Sequence, residues 1–335
     1  MPGARPDQAK QVIIMKIGII GAGSIARVMA DTIRGMDSAE CVAVAARDLA
    51  RAEAFAREHG VLKAYGDYYE LLADPDVELV YIALPHSHHC MWTVNALEAG
   101  KHVLCEKAFA VNEEEARLMI DKSRETGLLL AEAIWTRYMP SRQIIDDLVA
   151  SGIIGEVMSV TANLGYPVDT KERIMKPELA GGALLDLTVY PLNFASMVLG
   201  DDIASIDAVC TVTDTGVDAQ DSVTLRYNDG KMATMFTTIY NLTDRRGIIY
   251  GRKGFIEVQN INNPEVIRVW SAGRHHGAEL LEEITVPEQI TGYEYEVEAC
   301  MEAIRNGLTE CPQMPHRETL EIMRQMDEVR AKFGL

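Results

Sequence analysis

The sequence predicts an α/β chain in two parts, a doubly wound parallel sheet followed by a domain with a mostly antiparallel sheet. Three observations predict it. Apolar strands alternate with amphipathic helices from Lys16 to Ala133, and a glycine turn, Gly21-Ala-Gly23, opens the first of those helices. Beyond Trp135 the pattern becomes strands of period-two alternation without helices between them. At 335 residues the chain is long for one core and comfortable for two domains.

Lys16–Ile20 reads as a short buried strand, and Gly21, Gly23 and Ala26 follow at G-x-G-x-x-A spacing. Ile25, Val28, Met29, Ile33 and Met36 give the helix its apolar period. In such a turn the first glycine permits the tight bend, and the second lets backbone N–H groups approach a pyrophosphate. The alanine lets helix and strand pack closely. Gly21, Ala22, Gly23, Ser24 and Ile25 are therefore candidates to hold a dinucleotide. Further buried strands are predicted at Cys41–Ala46, Leu79–Leu84, His102–Cys105 and Leu128–Ala133. Between them lie helices over Leu49–His59, up to Leu97, and from a capping pair, Asn112 with Glu115, to Gly127. Strands apolar on both faces and separated by helices make a parallel sheet of Rossmann type.

The second half opens on a helix over Ser141–Ala150. Ile206, Ala208 and Cys210, then Val223, Leu225 and Tyr227, alternate with polar neighbours. Gly251-Arg-Lys-Gly254 reads as a turn joining strands Ile248–Tyr250 and Phe255–Val258. From Tyr293 the pattern is helical and is predicted to pack back on the first domain. The resulting division is a loose leader over 1–14, with Met15 a natural start, a dinucleotide domain over 15–134, a substrate and oligomerisation domain over 135–292, and C-terminal helices over 293–335.

A net charge of −18 argues against nucleic acid and anionic membranes as partners, since both require clustered Lys and Arg. The six cysteines are scattered without metal-ligand spacing and read as reduced packing residues of a cytoplasmic protein. No apolar run reads as long enough to cross a bilayer, and residues 1–14 lack the apolar core of a signal peptide.

Ligands of open α/β sheets bind outside the carboxyl ends of the strands, and those ends carry the informative side chains here. Arg47 stands where an NAD-preferring domain carries an acid, and can pair with a 2′-phosphate. That favours NADP, with NAD the alternative kept open by Asp48. Leu84-Pro85-His86, with His89, ends another strand. The three histidines 86, 88 and 89 have no Cys or carboxylate at ligand spacing, so cofactor contact or hydrogen bonding at the helix N-terminus is expected rather than metal. Glu106-Lys107 ends a third, and a cation there is costly unless it serves an anion or a reacting oxygen. Gly181-Gly-Ala-Leu-Leu-Asp186-Leu-Thr-Val-Tyr190 puts a carboxylate and a phenol at i and i+4 on one helix face. A phenol there can act as general acid or base if a cation such as Lys107 lowers its pKa. Each residue has a plainer reading: Arg47 and Lys107 solvated, Tyr190 buried and satisfied by Asp186, His275-His276 a solvated loop.

These pieces together resemble the glucose–fructose oxidoreductase / inositol dehydrogenase (Gfo/Idh/MocA) family over the whole chain from Met15. Within it they most resemble the dimeric dihydrodiol dehydrogenases and NADP-dependent D-xylose dehydrogenases. The resemblance rests on Ala45-Ala-Arg-Asp-Leu49 with Ala54-Phe-Ala56, Gly100-Lys-His-Val-Leu-Cys-Glu-Lys107, Ala133-Ile-Trp-Thr-Arg-Tyr-Met-Pro140, and Gly181–Asp186 with Tyr190. It implies a Rossmann domain joined to an open-faced antiparallel sheet, whose outer face forms a homodimer or homotetramer interface. It also implies Lys107 near nicotinamide and substrate, Tyr190 as acid/base, Asp186 positioning substrate, and Trp135 and Arg137 bordering the cofactor. Tyr166 and Arg173, in the loop Tyr166–Pro177, are further candidates to shape the substrate pocket. Two positions depart from the family pattern: Ala108 replaces the proline after the lysine, and Thr188 a glycine before the tyrosine. The function so implied is hydride transfer between NAD(P) and a secondary alcohol or hemiacetal carbon of a sugar, polyol or trans-dihydrodiol. The alternatives are a glycoside ring-hydroxyl oxidoreductase with tightly bound NAD, and a non-catalytic NADP(H)-binding sensor.

Overall fold

The computed structural model describes residues 14–273 and 277–335, so the predicted leader, Ile14 apart, and His275-His276 lie outside the described residues. The first part runs β1 (Met15–Ile20), α1 (Ser24–Arg34), β2 (Ala39–Ala45), α2 (Leu49–His59), β3 (Lys63–Tyr65), α3 (Tyr68–Leu72) and β4 (Leu79–Ile82). It continues through α4 (His89–Glu98), β5 (His102–Glu106), α5 (Glu113–Thr126) and β6 (Leu130–Ala133). All pairings are parallel in the order β3-β2-β1-β4-β5-β6. The strands can be uniformly apolar because helices cover both faces; Ile19, Val44, Leu79 and Val103 are sealed from solvent. The order reverses between β1 and β4, which opens a crevice above their carboxyl ends. Asn112 caps α5, accepting from the Glu115 N–H at 2.9 Å, as its spacing predicts.

β3 and α3 have no counterpart among the predicted elements. At three and five residues they are too short to show a period. Polar contacts fix them: Asp67 caps α3 by accepting from the Tyr69 N–H, and Lys63 donates to Asp74 and Asp76 at 2.8 and 2.7 Å.

The second part holds α6 (Pro140–Ala150), β7 (Val157–Gly165), α7 (Glu172–Met175) and α8 (Val189–Leu199), then β8 (Ile203–Val212), β9 (Asp218–Tyr227) and β10 (Met232–Thr238). β11 (Gly247–Gly251), β12 (Gly254–Val258), β13 (Val266–Ala272) and β14 (Ala278–Thr285) follow. The sheet order is β14-β13-β12-β11-β7-β10-β9-β8, antiparallel except where β10 lies parallel to β7. That pairing arises because the chain leaves β7, crosses over through α8, and returns. α8 covers one sheet face, while the other presents Phe236, Tyr250, Phe255 and Trp270 outward. The stretch Pro177–Leu199 is, against the sequence reading, long and apolar enough to span a membrane by composition. Most of it is buried inside the fold, which explains its composition as that of a core helix.

The final helices, α9 (Glu294–Arg305) and α10 (His316–Phe333), return to the first part. His316 Nε2 lies 2.8 Å from Leu130 O, Arg330 donates to Val111 O, and Asp327 accepts from the Glu113 N–H. Arg137, expected beside the cofactor, belongs instead to this junction. It is 4% exposed and pairs with Glu318 of α10 at 2.5 Å, while Nε and Nη2 donate to Asn193 and Ser196 of α8. A guanidinium so enclosed, with all three nitrogens bonded to α8 and α10, does not line the crevice. Its work is mechanical, joining α8 to α10. Arg137→Met is therefore expected to cost about 3 kcal/mol in urea unfolding, at the low end for breaking a buried pair because Glu318 keeps some water. NADPH affinity of the folded variant, read by fluorescence titration, should stay at the wild-type value.

Candidate active site

A cleft of about 820 Å³ crosses the carboxyl edge of the parallel sheet and is roofed by the second domain. Its floor is the glycine turn. Gly21 has φ +110, and a Cβ there would lie 2.4 Å from Ala83 O, so neither an L side chain nor its volume fits. Gly23 faces open space and heads α1 without any side-chain cap, leaving the first-turn N–H groups of α1 turned to the cleft. That is the cradle a pyrophosphate needs. Ala22, Ser24, Ile25, Leu84, Pro85, His86, Glu106 and Lys107 line the same cleft, as predicted for cofactor-binding positions, and so does Arg47.

At the β2 end, Arg47 stands beside Arg51, one turn along α2, and Tyr68. Asp48 also lines this end, where its Oδ1 accepts from the Ala50 N–H and caps α2. Lys171 and Lys176 of the second domain face this end, where Glu172 is held below the usual carboxylate range by Lys176 and then by Arg47. Arg51, in the first turn of α2, is a cleft residue beyond the sequence-predicted set.

Lys107 ends β5, two strands beyond β1 in the order β1-β4-β5, while Arg47 ends β2 on the other side of β1. Three interstrand spacings separate the two strand ends, about 14 Å, the reach of a dinucleotide laid across them. At the β5 end Lys107 donates to the Asp186 main-chain oxygen at 2.8 Å and lies 3.5 Å from its Oδ1. Arg173 donates to the same Oδ1 at 2.7 Å. Burial alone would raise the Asp186 pKa, but Lys107 and then Arg173 hold it well below the usual range, so it is ionised. Tyr190, Tyr166, Tyr293 and Asn262 complete the wall. All four predicted substrate residues, Tyr166, Arg173, Asp186 and Tyr190, are thus brought together; Tyr293 and Asn262 come from loops with no pattern to flag them.

The geometry corrects four expectations. Leu184–Thr188 forms a π turn, with the Val189 N–H reaching Leu184 O, rather than ordinary helix. Tyr190 is not satisfied by Asp186, whose oxygens go to the two cations. Nor is the phenol's pKa lowered overall. The Lys107 ammonium sits over the ring, 4.8 Å from the centroid, with Asp186 accepting its hydrogen bonds, but burial, then Tyr293, Glu106 and Asp186, push the phenol well above its ordinary value. Finally, Trp135 and His89 do not line the cleft. Trp135 stacks on Tyr293 at 4.2 Å and donates to Asn262, bracing the wall from behind. His89 is sealed between Ala108 O and Leu84 O, 2.9 Å from each, and pins the β4 and β5 ends together. His86 does line the cleft, its Nδ1 2.9 Å from Ala180 O across the domain junction, and burial pushes its pKa down to about 3, leaving it neutral.

A glycine cradle, an end that gathers Arg47, Arg51, Lys171 and Lys176, and a lysine–carboxylate–tyrosine cluster define a nicotinamide-dinucleotide oxidoreductase. The chain belongs to the Gfo/Idh/MocA family. Residues 15–133 match its oxidoreductase domain with NAD-binding Rossmann fold, and residues 143–257 match a GFO/IDH/MocA C-terminal domain. The chain is similar to trans-1,2-dihydrobenzene-1,2-diol dehydrogenase of Mus musculus, 35% identical over 324 residues, covering 96% of this chain and 97% of that one. The Oryctolagus cuniculus enzyme of the same name is 36% identical over 329 residues, covering 95% and 98%. Among solved structures, a 3-ketoreductase from Actinomadura kijaniata, in complex with NADP and TDP-benzene, superposes with TM-score 0.86 at 27% identity, covering 95% and 98%. Aldose-aldose oxidoreductase from Caulobacter crescentus shares the fold, with TM-score 0.84 at 22% identity and coverage of 95% and 97%.

Proposed function

We propose that the protein is an NADP(H)-preferring dehydrogenase or reductase acting on a secondary alcohol, or the matching carbonyl, of a sugar or cyclic trans-diol. The observation that carries this is the arrangement of Lys107, Asp186 and Tyr190 at one end of a cleft whose other end holds Arg47 and Arg51. The bound dinucleotide supplies or accepts the hydride. Gly21–Ile25 would hold its pyrophosphate, and Arg47 with Arg51 its 2′-phosphate. Tyr190, with its pKa raised, keeps its proton at neutral pH and can donate it to a nascent alkoxide. In the reverse direction the phenol first gives its proton to solvent, and the phenolate, favoured by the Lys107 charge 4.8 Å from its ring, takes the hydroxyl proton as the carbinol carbon gives up its hydride. Asp186 fixes Lys107 and Arg173 in place. Tyr166, Tyr190 and Tyr293 offer apolar faces to the C–H face of a ring, while Asn262 and Arg173 offer donors to its hydroxyl edge. The names of the relatives, a diol dehydrogenase and a ketoreductase, support that substrate class.

The open face of the eight-stranded sheet supports association with a second copy, as a homodimer or as half of a tetramer. Phe255 lies 5.9 Å from Trp270 and 6.0 Å from Tyr250, centroid to centroid, in an outward aromatic stripe continuous with Ile248.

Three outcomes test these readings. In Arg47→Ala, NADPH affinity should fall about tenfold or more, the worth of a charge-assisted bond, with NADH affinity unchanged; equal losses for both refute the phosphate role. Tyr190→Phe should retain NADPH binding and lose turnover by about 10²-fold or more, and wild-type oxidation should rise with pH through the mildly alkaline range while reduction stays flat. Phe255→Lys should sediment as a monomer where the wild type does not; an unchanged sedimentation coefficient places the interface elsewhere.

A further inference from the structure

The π turn Leu184–Thr188 carries Asp186 and leads directly into Tyr190, so whatever fixes its shape fixes the spacing of both groups. Its two ends rest on two buried carboxyl groups of β9. Asp218, 7% exposed, accepts from the Leu184 N–H through Oδ2 at 2.5 Å. A Cβ on Gly182 would lie 2.2 Å from its Oδ1, so the chain before the turn is pressed onto this carboxyl group. Asp221, 1% exposed, accepts from the Thr188 hydroxyl through Oδ2 at 2.7 Å. The same hydroxyl lies 2.5 Å from that of Thr237 on β10, whose proton it can accept while giving its own to Asp221. The other Asp221 oxygen is buried without a partner.

We propose that Asp221 and Thr188 are positioning residues for the reaction: their hydrogen bond, with the Asp218 contact at the other end, holds the π turn so that Asp186 meets Lys107 and Arg173 while Tyr190 faces the cleft. The inference rests on Tyr190 being the proton donor, and adds to that reading the groups that aim it. A buried carboxyl group with one oxygen unpartnered is poor as a stabilising element, since an apolar residue would fill the space at less cost. What it does provide is a fixed acceptor for the Thr188 hydroxyl at the end of the turn. Burial, then Asp218 nearby, pushes Asp221 up to about 8, so the group is largely neutral at physiological pH and acts by accepting a hydrogen bond rather than by charge. An amide can do the same.

The test compares Asp221→Ala, Asp221→Asn and Thr188→Val in the full chain. Asp221→Ala and Thr188→Val should lower kcat by about 10²-fold, as a misplaced catalytic group does, with NADPH affinity within twofold of wild type. Asp221→Asn should recover kcat to within about fivefold, because it keeps the acceptor. Amide hydrogen exchange over residues 184–190 should quicken in the first two variants alone. Thr188→Val preserves side-chain volume and carries the test if the alanine variant does not fold. Wild-type kcat in Thr188→Val with unchanged exchange overturns the proposal, as does an asparagine variant as impaired as the alanine one. The exchange readout requires no turnover, so failure of the proposed function, seen as a wild type inactive on every sugar and diol, is distinguishable from failure of this inference.

Discussion

The ionised carboxylate of Asp186 is the constraint on which the working end of the molecule depends. It is nearly sealed from water, and such a charge is tolerated only where opposite charges meet it. Lys107 reaches it from the first domain and Arg173 from α7 of the second. Because the partners come from different parts of the chain, neutralising this one group fixes where the second domain stands over the carboxyl edge of the parallel sheet. The position of Tyr190 follows, as does the side of the phenol that the lysine occupies. The cleft is therefore assembled by the same contacts that give it reactivity.

Much of this was legible in the sequence. The parallel half announces itself because buried strands must be apolar, helices must be periodic, and the pyrophosphate turn must have glycine where φ is positive. Residues at strand ends then follow from topology, which is why Arg47, Pro85, Glu106 and Lys107 fall in the cleft. What escaped is what depends on contact. Trp135 and Arg137 sit beside the right elements, yet their side chains turn toward Tyr293, Asn193 and Glu318, and no spacing rule reports a rotamer. His89 looks like a ligand in a row of histidines and proves to be a pin between two carbonyls. The π turn was hidden for the same reason. Its apolar residues satisfy an ordinary helical period, and the extra residue per turn is dictated by Asp218 and Asp221, thirty-odd positions downstream.

The electrostatics of the cleft divide it by task. One end gathers Arg47, Arg51, Lys171 and Lys176, with Asp48 serving as a helix cap. The other balances two cations against the Asp186 carboxylate, and Glu106 accepts from the Tyr81 hydroxyl. Burial raises the Glu106 pKa. An overall acidic protein thus maintains a locally cationic floor, suited to a polyanionic ligand at one end and an uncharged ring at the other.

The return of the C-terminal helices has a consequence for synthesis. The edge strand β6 receives backbone support from Thr309, whose oxygen accepts the Leu130 N–H, and α5 packs on α10. The nucleotide-binding half is thus closed by residues that leave the ribosome only after the second domain has done so. A nascent chain carrying all six parallel strands still exposes the apolar flank that α10 covers, and must hold it open while the whole second domain is made. The two halves are distinct in architecture, but in biogenesis they mature as one.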